Sequence, residues 1–250
     1  MAKLQDKIAI ITGAASGLGK GMAELFAEEG AHVVVADLQD DAGQRLADAL
    51  EGTYLRCDVT DPAAVEGMIQ AAVDRHGRID ILVNNAGIDG DQAITADSSL
   101  ENWRRVMSIN MDGVYYGMKF VLPVMVSQKG GVILNTASTV GLNAMGAIPA
   151  YSASKAGVIH LSKAVAIEYA MYKIRVNAIC PSVVETPLLA HFIESTPDPE
   201  GARSGFASLN PMPGMVTVDA VAKAALFLVS DDSAFITAVA LPIDGGYTAR

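Results

Sequence analysis

Seven short runs of apolar, often β-branched residues recur along this chain and set its frame. They read "KIAIIT" (7–12), "HVVVAD" (32–37), "TYLRCDV" (53–59), "IDILVNN" (79–85), "GVILNTAS" (131–138), "KIRVNAIC" (173–180) and "AVALPID" (238–244). Little polar alternation interrupts them, as expected of strands covered on both faces. Between them lie stretches of helical length, among them 18–29, 62–76 and 103–128, long enough to be crossover connections. The alternation predicts a doubly wound α/β fold: a Rossmann-like parallel sheet of about seven strands with helices on both faces. No tandem repeat or low-complexity linker divides the chain, so residues 1–250 are expected to form a single domain.

One region breaks the rhythm. Between Ser182 and Met215 fall Pro187, Pro197, Pro199, Pro211 and Pro213, with Gly201, Gly205 and Gly214 among them. A loop of this length in a compact domain is usually functional. It follows the sixth strand and so leaves from the carboxyl edge of the sheet, where open α/β sheets bind ligands. We read 182–215 as a substrate lid carrying a short helix near Pro187–Glu194.

Composition narrows the function. The 250 residues are 51% hydrophobic and 18% charged, which suits a large buried core and not a disordered chain. A net charge of −10 argues against nucleic acid and against an anionic membrane surface. Cys57 and Cys180 sit in apolar strand runs and are expected to be buried and reduced. The start "MAKLQDKIAIITG" has no signal core and no apolar run reaches membrane-spanning length, so a soluble, cytoplasmic protein is expected. His32, His76, His160 and His191 are scattered without ligand spacing, and no metal site is expected.

The first strand runs into "TGAASGLGKG", which puts Gly13, Gly17 and Gly19 between strand and helix. Glycines there allow a tight turn, close backbone approach to a pyrophosphate and close helix packing. The helix start adds free N–H groups and partial positive charge. Asp37 closes the second strand, where a carboxylate accepts hydrogen bonds from an adenosine ribose. Against the extra phosphate of NADP, its repulsion at ~4 Å would be about 2 kcal/mol even in water-like surroundings. No Arg or Lys stands at Leu38, Gln39 or within Gly13–Leu18 to bind such a phosphate. The expected cofactor is therefore NAD.

A further pair stands out in "YSASKAG": Tyr151 and Lys155 are four apart in a helical pattern and share one face. Together with "TGAASGLG", "NNAG" (84–87), Asn110, Ser138 and the closing "DGGYTA" (244–249), "YSASK" makes the whole chain resemble the short-chain dehydrogenase/reductase family. The resemblance implies that Tyr151 donates and accepts the proton, with Lys155 as its partner. It makes Ser138 the substrate anchor and Asn110 part of a water-linked proton relay. Its cofactor residues map onto Gly13, Ser16, Gly17, Leu18, Gly19, Asp37, Leu38, Asp58, Val59, Asn85, Ala86 and Gly87, then Tyr151, Lys155, Pro181, Val184 and Thr186. It also implies a homotetramer, and the apolar helix "MDGVYYGMKFVLPVMV" has surface to spare for a second copy. The family usually has Pro-Gly after the sixth strand, whereas this chain has Pro181 followed by Ser182.

Elementary chemistry supports these roles. A phenol with a reference pKa of about 10 needs ~4 kcal/mol of help to act as a base near neutrality. An ammonium ~5 Å away supplies about 3 kcal/mol at an effective dielectric of ~20. Ser138, at a strand end, can fix a substrate oxygen against Tyr151. Asn110 falls in a helix interior, where asparagine is unfavourable unless its side chain has work to do. The pocket expected from Ser138, Val140, Met145, Tyr151, Ser182, Val183 and Leu188 is mostly uncharged. A hydrophobic, cyclic or steroid-like secondary alcohol or ketone fits it. Reduction of a 3-oxoacyl thioester is an alternative, disfavoured because an acidic carrier protein would need a basic docking patch. A non-catalytic NAD-binding module is a third, disfavoured by the intact Ser–Tyr–Lys set.

Overall fold

The computed structural model describes residues 2–194 and 196–249, apart from the side chains of Pro187, Leu188, His191 and Phe192. In chain order the elements are β1 (Ile8–Thr12), α1 (Gly17–Glu28), β2 (His32–Asp37), α2 (Asp40–Ala49), β3 (Thr53–Arg56), α3 (Pro62–His76) and β4 (Ile81–Asn84). Then come α4 (Leu100–Met107), a π-helical turn (Ser108–Asp112), α5 (Gly113–Gln128), β5 (Gly131–Thr136), α6 (Pro149–Tyr169) and β6 (Ile174–Pro181). The chain continues through β7 (Val184–Glu185), α7 (Pro187–Glu194), α8 (Pro199–Ala207), β8 (Val216–Thr217), α9 (Val218–Val229) and β9 (Ala240–Ile243).

Seven strands form one parallel sheet in the order β3-β2-β1-β4-β5-β6-β9. Alternation along each strand feeds two apolar layers. Ile10, Val34 and Ile133 meet Met118, Val121 and Val158 from α5 and α6. Ile11, Val33 and Val35 meet Met22, Phe26 and Val221 from α1 and α9. Phe26 has no exposed surface, a burial that contributes about 2–3 kcal/mol. Cys57 and Cys180 are free, buried thiols. The strand order reverses direction between β1 and β4, and their carboxyl ends therefore part to leave a crevice.

Two sequence expectations need correction. The helix expected over 103–128 is interrupted by the π turn at Ser108–Asp112. The cause is Asn110, which has no exposed surface and turns its amide inward onto the backbone of Ile88. The segment 182–215 is more regular than its prolines suggest. Pro187 opens α7 at the bounds expected for the short helix, but Pro199 opens a second helix, α8, that was not expected; a first helical position is where a missing N–H costs nothing. Asp198 caps α8 by accepting from the Gly201 N–H at 2.9 Å. At the base of the segment β7 pairs with β8, Val184 opposite Val216.

Candidate active site

The turn after β1 lies at the mouth of the crevice. Gly13 has φ +62°, and a Cβ on it would lie 2.8 Å from the Cα of Ala86, so only glycine fits. Gly17, at φ +54°, faces open space. Gly19 lies against the Gly13 carbonyl and the Asn85 amide. Ser16 precedes α1 without a side-chain cap bond, and the first turn holds no acid. By contrast α3, α4, α8 and α9 are capped by Asp61, Ser99, Asp198 and Thr217. The amide donors of α1, with Leu18 half-buried beside them, are thus left for an outside anion. A dinucleotide fits this cradle of glycines, unneutralised helix start and neighbouring acid.

That acid is Asp37, 8% exposed at the end of β2. Its Oδ2 accepts from the Ala15 N–H at 2.9 Å and its Oδ1 from the Gln39 N–H at 3.0 Å. The carboxylate therefore ties the glycine turn to β2 and keeps lone pairs spare. Leu38 is half exposed beside it. The parallel register also brings Arg56 opposite Asp37, a cation missed by a search along the sequence. Arg56 donates to the Leu38 carbonyl and to Asp40, each at 2.7 Å. Asp58 closes the turn before α3 by accepting from Thr60, N–H at 2.9 Å and hydroxyl at 2.7 Å. Val59 packs over Gly113, where a Cβ would lie 2.9 Å from it.

The "NNAG" segment is a backbone staple. Thr12 Oγ1 accepts from the N–H groups of Asn85 (3.0 Å) and Ala86 (3.1 Å). The Asn85 amide donates back to the carbonyls of Thr12 (3.0 Å) and Gly13 (3.2 Å). Asn84 is buried and donates to Asn135 at 2.8 Å, which donates to Ser162 at 2.8 Å. A Cβ on Gly87 would lie 3.2 Å from Asn110 Oδ1 and 3.4 Å from Lys155 Nζ. The structure thus brings Gly87, Asn110 and Lys155 together.

Tyr151 and Lys155 stand on α6 as the spacing predicted, with Nζ 5.6 Å from the centre of the phenol ring. Lys155 is only 4% exposed and donates to the Thr136 carbonyl at 2.8 Å. Burial pulls its ammonium down to about 8. Burial likewise pushes the Tyr151 phenol above its usual value, Asp89 pushes it further, and a hydrogen bond with Ser138 opposes the rise. In the protein alone the phenol thus lies above its ordinary value, with desolvation of the phenolate as the largest cause.

Ser138 is buried, 3.4 Å from the Pro181 carbonyl and 3.3 Å from the Val140 N–H it accepts. Its turn leans on α6 at Gly141, where a Cβ would lie 2.7 Å from the carbonyl carbon of Lys155. Asn110 accepts from the Ile88 N–H at 2.9 Å and donates to the Ile88 carbonyl at 2.8 Å and to Ser154 at 3.2 Å. Asn102 holds Asp91 in the same manner, accepting from its N–H at 2.9 Å. Between these two pins Asp89 is exposed and acts electrostatically on both Tyr151 and Lys155. Its carboxylate is a charge near the Tyr–Lys pair that the sequence reading did not single out. The only hint in the sequence was its place two residues after "NNAG".

Around the substrate side, Val140 is buried while Met145, 41% exposed, lies at the rim. Ser182 donates to Asn210 at 2.9 Å and so joins the two feet of the 182–215 segment. Val183 accepts from the Val216 N–H at 3.1 Å, and Pro181 and Val184 continue the same edge. Thr186 Oγ1 accepts from the Leu189 N–H at 3.3 Å and caps α7. The side chain of Leu188 lies outside the described residues. Two histidines that are distant in sequence, His32 and His76, meet across Thr53 at the far edge of the sheet. Among the described residues no group of three or more His, Cys, Asp or Glu could hold a metal ion.

Residues 13–248 match the family model described as Enoyl-(Acyl carrier protein) reductase. Cyclohexanol dehydrogenase of Acinetobacter sp. (strain SE19) is 37% identical over 99% of this chain and 97% of its own length. The crystal structure of levodione reductase superposes with a TM-score of 0.93 at 35% identity, covering 98% of this chain and 99% of that one. A 3-ketoacyl-(acyl-carrier-protein) reductase from Brucella melitensis complexed with NADH superposes at 0.91 and 37% identity, over 98% of this chain and 99% of that one.

Proposed function

We propose that this chain, which belongs to the short-chain dehydrogenase/reductase family, interconverts a cyclic or otherwise hydrophobic secondary alcohol and its ketone with NAD. It is a nicotinamide-dependent oxidoreductase of alcohols and ketones. The observation that carries the finer reading is the convergence of Tyr151, Lys155, Ser138 and Asn110 beside the glycine crevice.

A bound nicotinamide supplies or accepts the hydride; the chain supplies everything else. Ser138 and Tyr151 hold the substrate oxygen between two hydroxyls. Tyr151 gives a proton to that oxygen during reduction and takes it back during oxidation. Lys155, fixed by the Thr136 carbonyl, keeps positive charge beside the phenol. Asn110 holds Ile88 and the loop over Lys155, along which a water chain can pass the proton outward. Gly13, Ser16, Gly17, Leu18 and Gly19 would hold the pyrophosphate of the dinucleotide. Asp37 would accept from the adenosine ribose, and Leu38, Asp58 and Val59 would border the adenine. Asn85, Ala86, Gly87, Pro181, Val184 and Thr186 would border the nicotinamide half.

NAD over NADP is supported by the spare lone pairs of Asp37 and by the engagement of Arg56 with Asp40. A cyclic substrate is supported by the likeness to the cyclohexanol and levodione enzymes and by the apolar side chains of Val140, Met145 and Val183, with Ser182 at the lid base. In this reading 182–215 closes over the substrate. A 3-oxoacyl substrate would draw on the Brucella melitensis relative. Asp89 and the net charge of −10 count against an anionic carrier. A homotetramer fits the half-exposed Tyr115 on α5 and Phe227 on α9, and a cytoplasmic location fits two free cysteines.

The test is Tyr151→Phe, assayed by NADH formation on a panel of cyclic and linear secondary alcohols. NADH binding is expected to persist while turnover falls to below about a hundredth of wild type. A variant that keeps a tenth of the rate overturns Tyr151 as the proton carrier.

A further inference from the structure

The amino edge of the sheet, opposite the dinucleotide crevice, holds a second cleft of about 770 Å³. That is the size of a small-molecule site. Its floor includes Ile81, Gly131 and Ile174, the first residues of β4, β5 and β6. Six cations line it: Lys3, Lys7, Arg78, Lys129, Lys173 and Arg175. Only Asp80 and Asp231 oppose them. One third of the chain's 18 lysines and arginines therefore face one cleft, in a molecule whose net charge is −10.

Three of the six are already engaged. Lys3 pairs with Asp232 at 2.6 Å, and Arg78 forks onto Asp80. Arg175 donates to the carbonyls of Leu228 and Ser230, closing the end of α9. The other three, Lys7, Lys129 and Lys173, form no ion pair with a described residue. Lys129 ends α5 and Lys173 ends the 3-10 turn Ala170–Tyr172, both in left-handed backbone at φ 61° and 60°. Glycine is the ordinary residue for such a position. A cation near a helix carboxyl end is favourable in itself. That preference does not require the strained position, nor that both lysines open on one cleft with Lys7. Ala234 and the fully exposed ring of Phe235 give the same cleft an apolar rim.

We propose that this cleft is an anion site for a pyrophosphate-bearing small molecule, its phosphates on Lys7, Lys129 and Lys173 and its apolar or aromatic group against Phe235. Three unpaired ammonium groups match the charge of a pyrophosphate, and the rim matches a ring attached to it.

The test uses the enzyme saturated with NADH, so that the dinucleotide crevice is filled, titrated calorimetrically with inorganic pyrophosphate and with ADP. One site is expected for pyrophosphate, weakened by added salt, and tighter binding for ADP. The double variant Lys129→Gly/Lys173→Gly suits the left-handed backbone and is expected to fold and turn over normally. It should bind pyrophosphate roughly tenfold or more weakly. Phe235→Ala should remove the advantage of ADP and leave pyrophosphate unchanged. No pyrophosphate binding to the holoenzyme, or binding undiminished in the double-glycine variant, overturns the site. ADP binding no tighter than pyrophosphate, or an ADP advantage that survives Phe235→Ala, overturns the apolar half.

Discussion

Gly141→Ala tests whether the spacing between Ser138 and Tyr151 is set by backbone packing. A methyl group there would lie 2.7 Å from the carbonyl carbon of Lys155, 2.8 Å from its oxygen and 2.9 Å from the Ala156 nitrogen. Ordinary contact begins at 3.4 Å, so the two segments must part by 0.7 Å. Helix α6 is 21 residues long and anchored by Val158, Ile159, Val165 and Ala166, whereas the 3-10 turn is the three residues Thr139–Gly141. The turn should be the part that yields, and it carries Ser138 away from Tyr151. A displacement approaching 1 Å at reacting groups lowers rates by up to about a hundredfold. We expect kcat to fall about ten- to a hundredfold, with stability reduced by about 1–3 kcal/mol. NADH affinity should be unchanged, because the glycine cradle is untouched. Steady-state alcohol oxidation, fluorescence titration of NADH and urea unfolding measure the three quantities. If kcat stays within about twofold while stability falls as stated, packing at Gly141 does not set the geometry.

Three other perturbations follow from the site. Lys155→Met should abolish turnover yet stabilise the protein at pH 7 by about 1–2 kcal/mol, the relief of burying a charge less the lost bond to Thr136. The buried ammonium releases its proton near 8 when folded and near 10.5 when unfolded, so wild-type stability should climb between those values and close the gap. Denaturation at pH 7 and pH 10 checks this, and a constant gap would refute it. Asp89→Asn removes a charge that raises Tyr151, so the rising limb of alcohol oxidation should move to lower pH; an unmoved limb rejects Asp89 as an influence on the phenol. Asp37→Ala should narrow the preference for NAD over NADP by about tenfold, with Arg56 near enough to meet the added phosphate. A fixed ratio in initial-rate assays would show that the carboxylate is not the discriminator.

The sheet and most helices were legible because fully buried parallel strands must be apolar on both faces, as the unbroken burial of Ile8–Thr12 illustrates. The Tyr–Lys pair and the glycine turn were legible because their chemistry depends on local spacing. What stayed hidden depends on distant neighbours. Arg56 stands beside Asp37 only through the pairing of β2 with β3. Asp89 is aimed by Asn102 and Asn110, which hold the loop on either side of it. Gly141 looks dispensable until α6 is laid against it. The helix at Pro187–Glu194 was legible, whereas Pro199 gave no sign of opening α8, because a proline that opens a helix and one that ends it are the same letter.

The ring of bonds joining Thr12 and Gly13 to Asn85 and Ala86 has a consequence for how the protein comes into being. Two ends of one cradle are separated by more than 70 positions in the chain. A nascent segment that stops short of β4 contains every phosphate-loop glycine and still lacks the struts that shape the loop. Nucleotide capture must therefore await the central pairing of β1 with β4, so that competence to hold the coenzyme reports completion of the middle of the sheet.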